Sequence, residues 1–250
     1  MATPVRASPG GGALGEPRVP RDNPFEPLPP ERLAGVYRWP AEALRFLEGE
    51  ADCLHIVGEA GLGKTALLRQ LQLRLEAQGA AAPYACVPPD GSLTSDRAPL
   101  GTVTLLDEAD RWPDRRLRRL VGRVRAAGQR LALASHRDHR RLLQRAGLTA
   151  LHLALVPLSR ADEAKRLFEE RVALAAGTAS SPFVLDTEAA EALLRLSGGN
   201  LERCLQIGYE VFEDLGRRGR PGPGGSPTAV IGGEEVRGAA EALERALADG

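Results

Sequence analysis

The sequence predicts an α/β protein with a parallel sheet, followed by a second part made of helices. From residue 52 onward, apolar runs of about six residues alternate with glycine-rich turns and helical segments, which is the pattern of a parallel α/β sheet. One of these turns has the spacing of a phosphate-binding loop. After Pro157 only helical periodicity remains, so we expect a domain boundary near residue 158.

The elements of the first part follow in chain order. Residues 1–30 are crowded with Pro and Gly and show no periodicity, so they are expected to form a disordered arm. Residues 31–157 are expected to form the α/β core, beginning with a linker and a short helix over 31–50. Apolar runs and helical spacing then predict strands at 53–57, 84–87, 102–106, 130–135 and 151–156, with helices at 64–78 and 114–127.

The second part, residues 158–250, is expected to be a small all-helical lid. Ser159 with Asp162 forms a weak capping box that starts one helix, and Asp186 starts a second. A third helix begins near Asn200, and the last begins near Glu234 with one apolar face. The Gly- and Pro-rich stretch 216–228 between them is expected to be a flexible insert.

Composition narrows the functional classes. With 250 residues and 43% hydrophobic positions, the chain is long enough for one sizeable core and a smaller second one. The formal net charge is zero, so contact with nucleic acid or anionic lipid would need a local basic patch. The three cysteines are far apart without metal-ligand spacing, and reduced thiols are expected. The absence of an apolar run of membrane-span length and of a secretion signal predicts a cytoplasmic protein with no membrane partner.

The strongest motif is GEAGLGKT at 58–65, which fits G-x-x-x-x-G-K-[ST] between a predicted strand and a predicted helix. Glycines let the backbone wrap phosphate oxygens, and successive N–H groups at a helix N-terminus supply positive potential. Lys64 is expected to reach the β- and γ-phosphates of ATP, and the Thr65 hydroxyl to bind Mg²⁺. The predicted nucleotide-binding residues are Gly58, Glu59, Ala60, Gly61, Leu62, Gly63, Lys64, Thr65 and Ala66.

A second motif, TVTLLDEAD at 102–110, is an apolar strand that ends in two acids. In a parallel sheet these acids would lie at the same edge as the phosphate loop. Asp107 is expected to hold Mg²⁺, and Glu108 to polarise the attacking water as general base. Asp110 is expected to cap the following helix. Adjacent acids after a strand are common at solvent edges, and it is the combination with the loop that indicates a site.

The two motifs together resemble those of the AAA+ ATPases, and the resemblance covers about residues 34–248. It implies a five-stranded parallel P-loop NTPase core with strand order 5-1-4-3-2 and a helical lid. It also implies that Ser135, at the end of the strand LALAS, acts as sensor 1, with His136 as the neighbouring alternative. Loose patterns such as LVPLS at 155–159 and SGGN at 197–200 are similar to the secretion- and transposition-associated ATPases and to the archaeal replication initiators.

The resemblance extends to arginines that act on the γ-phosphate. SGGNLERC at 197–204 looks like the start of the third lid helix of the family, which makes Arg203 the candidate sensor 2; an exposed helical arginine is the other interpretation. The arginine finger is expected among Arg140, Arg141 and Arg145, before the fifth strand. The short spacing between the loop helix and the acid-bearing strand predicts that the family's second core helix is missing or reduced.

Residues 111–145 contain twelve arginines. This arginine patch has two interpretations, a surface for the phosphate backbone of DNA or a surface that faces solvent or a neighbouring subunit.

The function implied by the resemblance is ATP binding and hydrolysis by a homo-oligomer that changes the state of a partner protein, as in an initiator or transposition helper. One alternative is an adaptor that binds ATP without turnover and recruits a partner in that state. The other is a DNA-associated loader that uses the arginine patch.

Overall fold

The computed structural model describes residues 23–26, 29–33, 38–218 and 228–248. The first part contains the short helices α1 (Pro30–Leu33) and α2 (Ala41–Leu47) and then alternates strands with helices. These elements are β1 (Cys53–Val57), α3 (Lys64–Ala77), β2 (Tyr84–Cys86), β3 (Val103–Asp107), α4 (Asp114–Ala126), β4 (Arg130–Ser135), α5 (Arg140–Arg145) and β5 (Ala150–Ala154).

The five strands form one parallel sheet in the order β2-β3-β4-β1-β5, which confirms the predicted order 5-1-4-3-2 read from the other edge. Residues 87–102 between β2 and β3 contain no helix, as the short spacing predicts. The fifth strand starts one residue earlier than predicted, because Ala150 pairs with Cys53 of β1, and it ends at Ala154, before the exposed Val156.

Helices cover both faces of the sheet because strand side chains alternate between the faces. Leu54 and Ile56 of β1 pack with the leucines of α3 on one side. On the other side, Leu131 and Leu133 of β4 pack with the apolar stripe of α4. All five residues of β3 are buried, and the strand ends in Asp107 with Glu108 next in the chain, so both acids lie at the carboxyl edge of the sheet.

The second part follows the first after a short linker, and its elements are α6 (Ala161–Ala176), β6 (Phe183–Leu185), α7 (Thr187–Ser197), α8 (Leu201–Arg217), β7 (Ala229–Ile231) and α9 (Gly233–Ala248). The expectation of helices alone needs one correction, because β6 and β7 form a two-stranded parallel sheet. Three-residue strands are too short to show an alternating pattern in the sequence. The first and last residues of these strands, such as Phe183 and Ile231, are buried in the core formed by the helices.

The predicted flexible insert 216–228 is only partly described. Helix α8 continues to Arg217, so the start of that stretch is helical, and residues 219–227 lie outside the described residues.

The predicted disordered arm 1–30 is wrong for residues 23–26, which dock on the second part. Phe25 is buried, and its ring centroid lies 4.8 Å from that of Phe168 on α6 and 5.7 Å from that of Phe212 on α8. A Cβ at Gly208 would lie 2.6 Å from the Phe25 ring, so this glycine leaves the slot that the ring fills. Asn23 Nδ2 also donates to Tyr209 O at 2.9 Å. One aromatic residue in a Pro-rich stretch carries no periodic signal, and residues 1–22 lie outside the described residues.

Candidate functional site

The loop 58–65 connects β1 to α3 and has the geometry of a phosphate cradle. Gly61 and Gly63 have positive φ angles of 75° and 87°, which glycine adopts without steric cost, and Gly63 is the N-cap of α3. Lys64 is only 5% exposed, and its Nζ donates to Gly58 O and Glu59 O, each at 2.7 Å. The loop therefore folds around its own lysine.

The charge of Lys64 is balanced by nearby acids. Burial lowers the pKa of its ammonium, and the carboxylates of Glu108 and Asp107 act in the opposite direction. The structure thus brings the predicted lysine and the predicted acids into one electrostatic environment.

Asp107 is the centre of the site and is 1% exposed. Its Oδ2 accepts hydrogen bonds from Thr65 Oγ1 at 2.7 Å and from the Tyr84 hydroxyl at 2.8 Å, and its Oδ1 accepts from Glu108 N at 2.9 Å. Arg69 lies with its guanidinium carbon 3.4 Å from the centroid of the Tyr84 ring. The predicted metal ligands Thr65 and Asp107 are therefore in direct contact.

These two residues suit Mg²⁺, which binds hard oxygen ligands and usually takes one or two carboxylates together with phosphate oxygens. A hydroxyl and a buried carboxylate at the edge of a phosphate cradle supply that donor set.

Glu108 is held in an unusual conformation. Its φ of 55° is the single positive value for a non-glycine residue in the described ranges. Its Oε2 lies 3.2 Å from Arg111 Nη2 and 3.6 Å from His136 Nε2. The predicted base is thus next to Asp107, and in this state its carboxylate faces two basic side chains.

Asp110 does not cap α4, contrary to the sequence interpretation. It lies in a 3₁₀ turn, Ala109–Arg111, and its Oδ1 accepts a hydrogen bond from His136 N at 2.9 Å, while Pro113 occupies the N-cap of α4. Because Pro113 holds the N-cap position, Asp110 is not needed there, and its carboxylate binds the backbone that follows β4. Glu108, Asp110 and His136 offer ligand atoms that all lie within 4.8 Å of one another, a second group with metal-binding residue types.

Ser135 ends β4 beside the loop, and its carbonyl accepts from Gly58 N at 3.3 Å. Its hydroxyl donates to Arg137 O at 2.7 Å, so the same oxygen accepts from His55 Nε2 at 3.0 Å. The other ring nitrogen of His55 must then be unprotonated, and it accepts from His152 Nδ1 at 3.3 Å. A chain of hydrogen bonds thus runs from β5 through β1 to the predicted sensor 1.

Solved structures with the same architecture include the Thermotoga maritima RuvB Holliday junction branch migration motor, at 18% sequence identity and a TM-score of 0.56 over 86% of this chain and 68% of that one. Domain III of the Thermotoga maritima replication initiation protein DnaA is 15% identical, with a TM-score of 0.60 over 86% of this chain and 98% of the domain. Both are AAA+ P-loop ATPases. The chain has the AAA+ fold. Comparison of the sequence with protein-family models and with curated proteins finds no match.

In the AAA+ fold of this chain, the start of α8 lies against the P-loop. Asn200 Nδ2 donates to Ala60 O at 2.8 Å, and Glu202 N donates to Gly61 O at 3.0 Å. A Cβ at Gly61 would lie 2.4 Å from Asn200 Oδ1, so glycine permits this approach. Asn200 also caps α8 by accepting from Arg203 N. The second part therefore touches the loop through a side-chain amide.

Arg203, the candidate sensor 2, is turned toward α9. Its Nη2 lies 2.9 Å from Glu244 Oε1, and its Nε has no hydrogen-bond partner among the described residues. The contacts of α8 with the P-loop are made by Asn200 and Glu202, not by Arg203. The sensor role of Arg203 stays a prediction that this arrangement does not favour.

The three candidate arginine fingers all lie on α5, outside the P-loop site. Arg140 is exposed and pairs with Asp138 at 2.9 Å, whereas Arg141 and Arg145 line a cleft between α4 and α5. Their action on a neighbouring subunit also stays a prediction.

The sequence does not predict three residues that contact the site. Tyr84 contacts Asp107 from an edge strand, Asn200 contacts the P-loop from the second part, and His55 supports Ser135 from inside the sheet. The one signal in the sequence is a histidine in the otherwise apolar strand CLHIV, since a buried polar side chain needs a partner.

Proposed function

We propose that the chain binds ATP with Mg²⁺ at the P-loop and hydrolyses the γ-phosphate. The observation that carries the proposal is that Lys64 donates to the carbonyls of the loop while Thr65, the next residue, donates to the buried carboxylate of Asp107. A cation, a hydroxyl and a buried carboxylate at a glycine-rich helix N-terminus are the parts that P-loop enzymes use for a nucleoside triphosphate.

Binding would exchange internal contacts for ligand contacts. Lys64 Nζ donates to two loop carbonyls at 2.7 Å, and phosphate oxygens would replace them as stronger, charged acceptors. Thr65 and Asp107 would hold Mg²⁺, which when bound neutralises charge on the phosphates. Tyr84 keeps its hydrogen bond to Asp107 Oδ2 and so fixes the orientation of that carboxylate.

Glu108 would act as general base on the attacking water. To do so its carboxylate has to leave Arg111 and His136, which lie 3.2 and 3.6 Å away. We infer that turnover depends on this release, because the carboxylate oxygen that faces Arg111 and His136 has to turn before it can accept a hydrogen bond from the attacking water.

The test pairs two substitutions with a matched control. Lys64→Ala should abolish ATP binding while the protein stays folded, and Lys165→Ala, which changes the other lysine of the chain, should leave ATP binding unchanged. Glu108→Gln should bind ATP and lower hydrolysis by about two to four orders of magnitude. Near-normal ATP affinity of folded Lys64→Ala would refute the site.

A second candidate is the adaptor that binds ATP without turnover. The paired state of Glu108 and the position of Arg203 at Glu244 favour it. Equal and very slow hydrolysis by the wild type and Glu108→Gln, with tight ATP binding by both, would select the adaptor.

We further propose that the chain works in the cytoplasm as a homo-oligomer around ATP and acts on a protein or DNA partner. The names of the similar structures, a Holliday junction branch migration motor and a replication initiation protein, support a DNA-related process. In the described residues, no helix is both long and apolar enough to cross a bilayer.

A further inference from the structure

The arginine patch 111–145 divides into three groups in the structure. The first group donates to backbone carbonyls and so anchors loops: Arg111, Arg116, Arg123, Arg125 and Arg130. Two others, Arg118 and Arg140, pair with aspartates one turn or less away. The side chains of the remaining five form no ion pair or hydrogen bond within the described part of the chain, and these residues are Arg115, Arg119, Arg137, Arg141 and Arg145.

Three of the five unpaired arginines meet in one place. Arg137, Arg141 and Arg145 line a cleft between α4 and α5 with a volume of about 690 Å³, here called the α4–α5 cleft. Arg118 and Arg125 line it from α4. The cleft is also lined by two acids, Asp114 and Asp138, but they neutralise little of the arginine charge. Asp138 binds Arg140, which does not line the cleft, and Asp114 lies 3.9 Å from Arg118 in an exposed pair.

The arginines of α5 occupy positions that a helix disfavours. Arg140 and Arg141 form the first turn, which contains no acid, although the N-terminal end of a helix favours negative charge. Arg141 and Arg145 are four residues apart, a spacing at which like charges repel each other. Local helix formation therefore does not explain these cations, whereas an anion in the cleft would offset both effects.

Two further features of the cleft suit a ligand. Gly122 lies in the middle of α4 and lines the cleft, and a Cβ there would meet nothing within 4 Å. A mid-helix glycine costs roughly 1 kcal/mol relative to alanine, and here neither backbone conformation nor packing requires it. His139, also in the lining, is 6% exposed, and its Nε2 has no partner among the described residues. The cleft thus combines free space with an unsatisfied polar atom.

We propose that the α4–α5 cleft is a second phosphate site, separate from the P-loop, that binds the phosphodiester backbone of a nucleic acid without reading its sequence. Guanidinium groups match phosphate oxygens with two parallel hydrogen bonds, and five arginines line the cleft beside two acids. The lining contains no Phe, Tyr or Trp on which a base would stack. The cleft shares no residue with the P-loop of the same subunit. Arg141 and Arg145 are also candidate arginine fingers, so DNA binding is measured without nucleotide, where hydrolysis plays no part.

The test measures binding of the full 250-residue chain to labelled 20-nucleotide DNA, single- and double-stranded, in two unrelated sequences. Fluorescence anisotropy is recorded between 50 and 200 mM NaCl without nucleotide, a range that resolves salt dependence. The wild type should bind both sequences alike. The triple variant Arg137→Gln/Arg141→Gln/Arg145→Gln should bind duplex about 100-fold more weakly at 0.1 M salt and flatten the logarithmic salt slope by about two to three, since each phosphate contact contributes about 0.9.

The matched control removes the same charge outside the cleft. Arg115→Gln/Arg119→Gln/Arg166→Gln changes three exposed arginines and should alter the salt slope by less than about one. A second pair of variants leaves the net charge unchanged. Gly122→Gln should weaken binding by filling the cleft, whereas Gly238→Gln, at an exposed mid-helix glycine of α9, should not. Both glycine substitutions favour the helix, so loss of folding does not obscure the result.

Three outcomes would overturn the proposal. The first is that the wild type binds no DNA at 50 mM salt, and the second is that the two triple variants weaken binding equally. The third is that polyglutamate displaces DNA as effectively as polyphosphate does, which would indicate an acidic protein partner. ATP is the other source of phosphate. Displacement of DNA from Lys64→Ala protein by millimolar ATP, about as effective as by unlabelled DNA, would reassign the cleft to nucleotide phosphates.

Discussion

We expect His55 to make the folded state sensitive to acid. The side chain is fully buried in the sheet, and both ring nitrogens are used, one by Ser135 and one by His152. Burial, with His139 and His152 nearby, lowers the pKa of His55 from 6.5 to about 4, although Asp138 opposes the shift. A protonated His55 would carry N–H groups on both ring nitrogens, so His152 would have to change tautomer to accept at Nδ1.

The sign and size of the effect follow from proton linkage. The unfolded chain binds a proton at His55 near pH 6.5 and the folded chain near pH 4, so acid favours the unfolded state between these values. The stabilisation is complete above pH 6.5 and is lost as the pH falls to 4. At about 1.4 kcal/mol per pKa unit the total is about 3 kcal/mol, of which about 2 kcal/mol is lost by pH 5.

Urea unfolding at pH 7.5 and pH 5.0 measures this loss. With a slope of about 2 kcal/mol per molar urea, the wild-type midpoint should fall by roughly 1 M. His139 and His152, whose pKa values are also lowered by burial, act in the same direction. His55→Gln should be less stable at pH 7.5 but lose less stability between the two pH values. Parallel losses in the wild type and His55→Gln would refute the argument.

Three other outcomes are expected. Phe25→Ala should lower the free energy of unfolding by about 3 kcal/mol by emptying the slot above Gly208, as urea unfolding would reveal. Tyr84→Phe should cost about 1–3 kcal/mol of the same quantity through the lost hydrogen bond to Asp107, and Tyr209→Phe should cost little. If Arg141 is the finger, Arg141→Ala should bind ATP but hydrolyse it poorly, and mixing with Glu108→Gln subunits should restore activity.

The sheet is predictable from the sequence because its strands are buried on both faces and read as apolar runs. The strand Arg130–Ser135 is predicted residue for residue, and the two acids at the carboxyl end of β3 fall at the expected edge. Short elements are not predictable, because a triplet such as Phe183–Leu185 lacks a period.

The parts of the site that the sequence does not predict depend on distant partners. Tyr84 is one of many edge-strand residues until the structure places its hydroxyl on Asp107. Arg203 satisfies a family pattern, but Glu244 on α9 offers its guanidinium a closer partner. The same holds for the arginine patch 111–145. The sequence shows its charge, but tertiary contacts decide which of its side chains have no ion pair or hydrogen bond.

The contact between α8 and the P-loop joins groups 140 residues apart in the sequence, Asn200 and Ala60. If ATP reorders the peptide groups of Ala60 and Gly61, it changes the free energy of that contact. Thermodynamic reciprocity then requires that any partner that pulls α8 away from the loop changes ATP affinity by the same factor. A ligand of the second part would thus act as an effector of the nucleotide site without touching it.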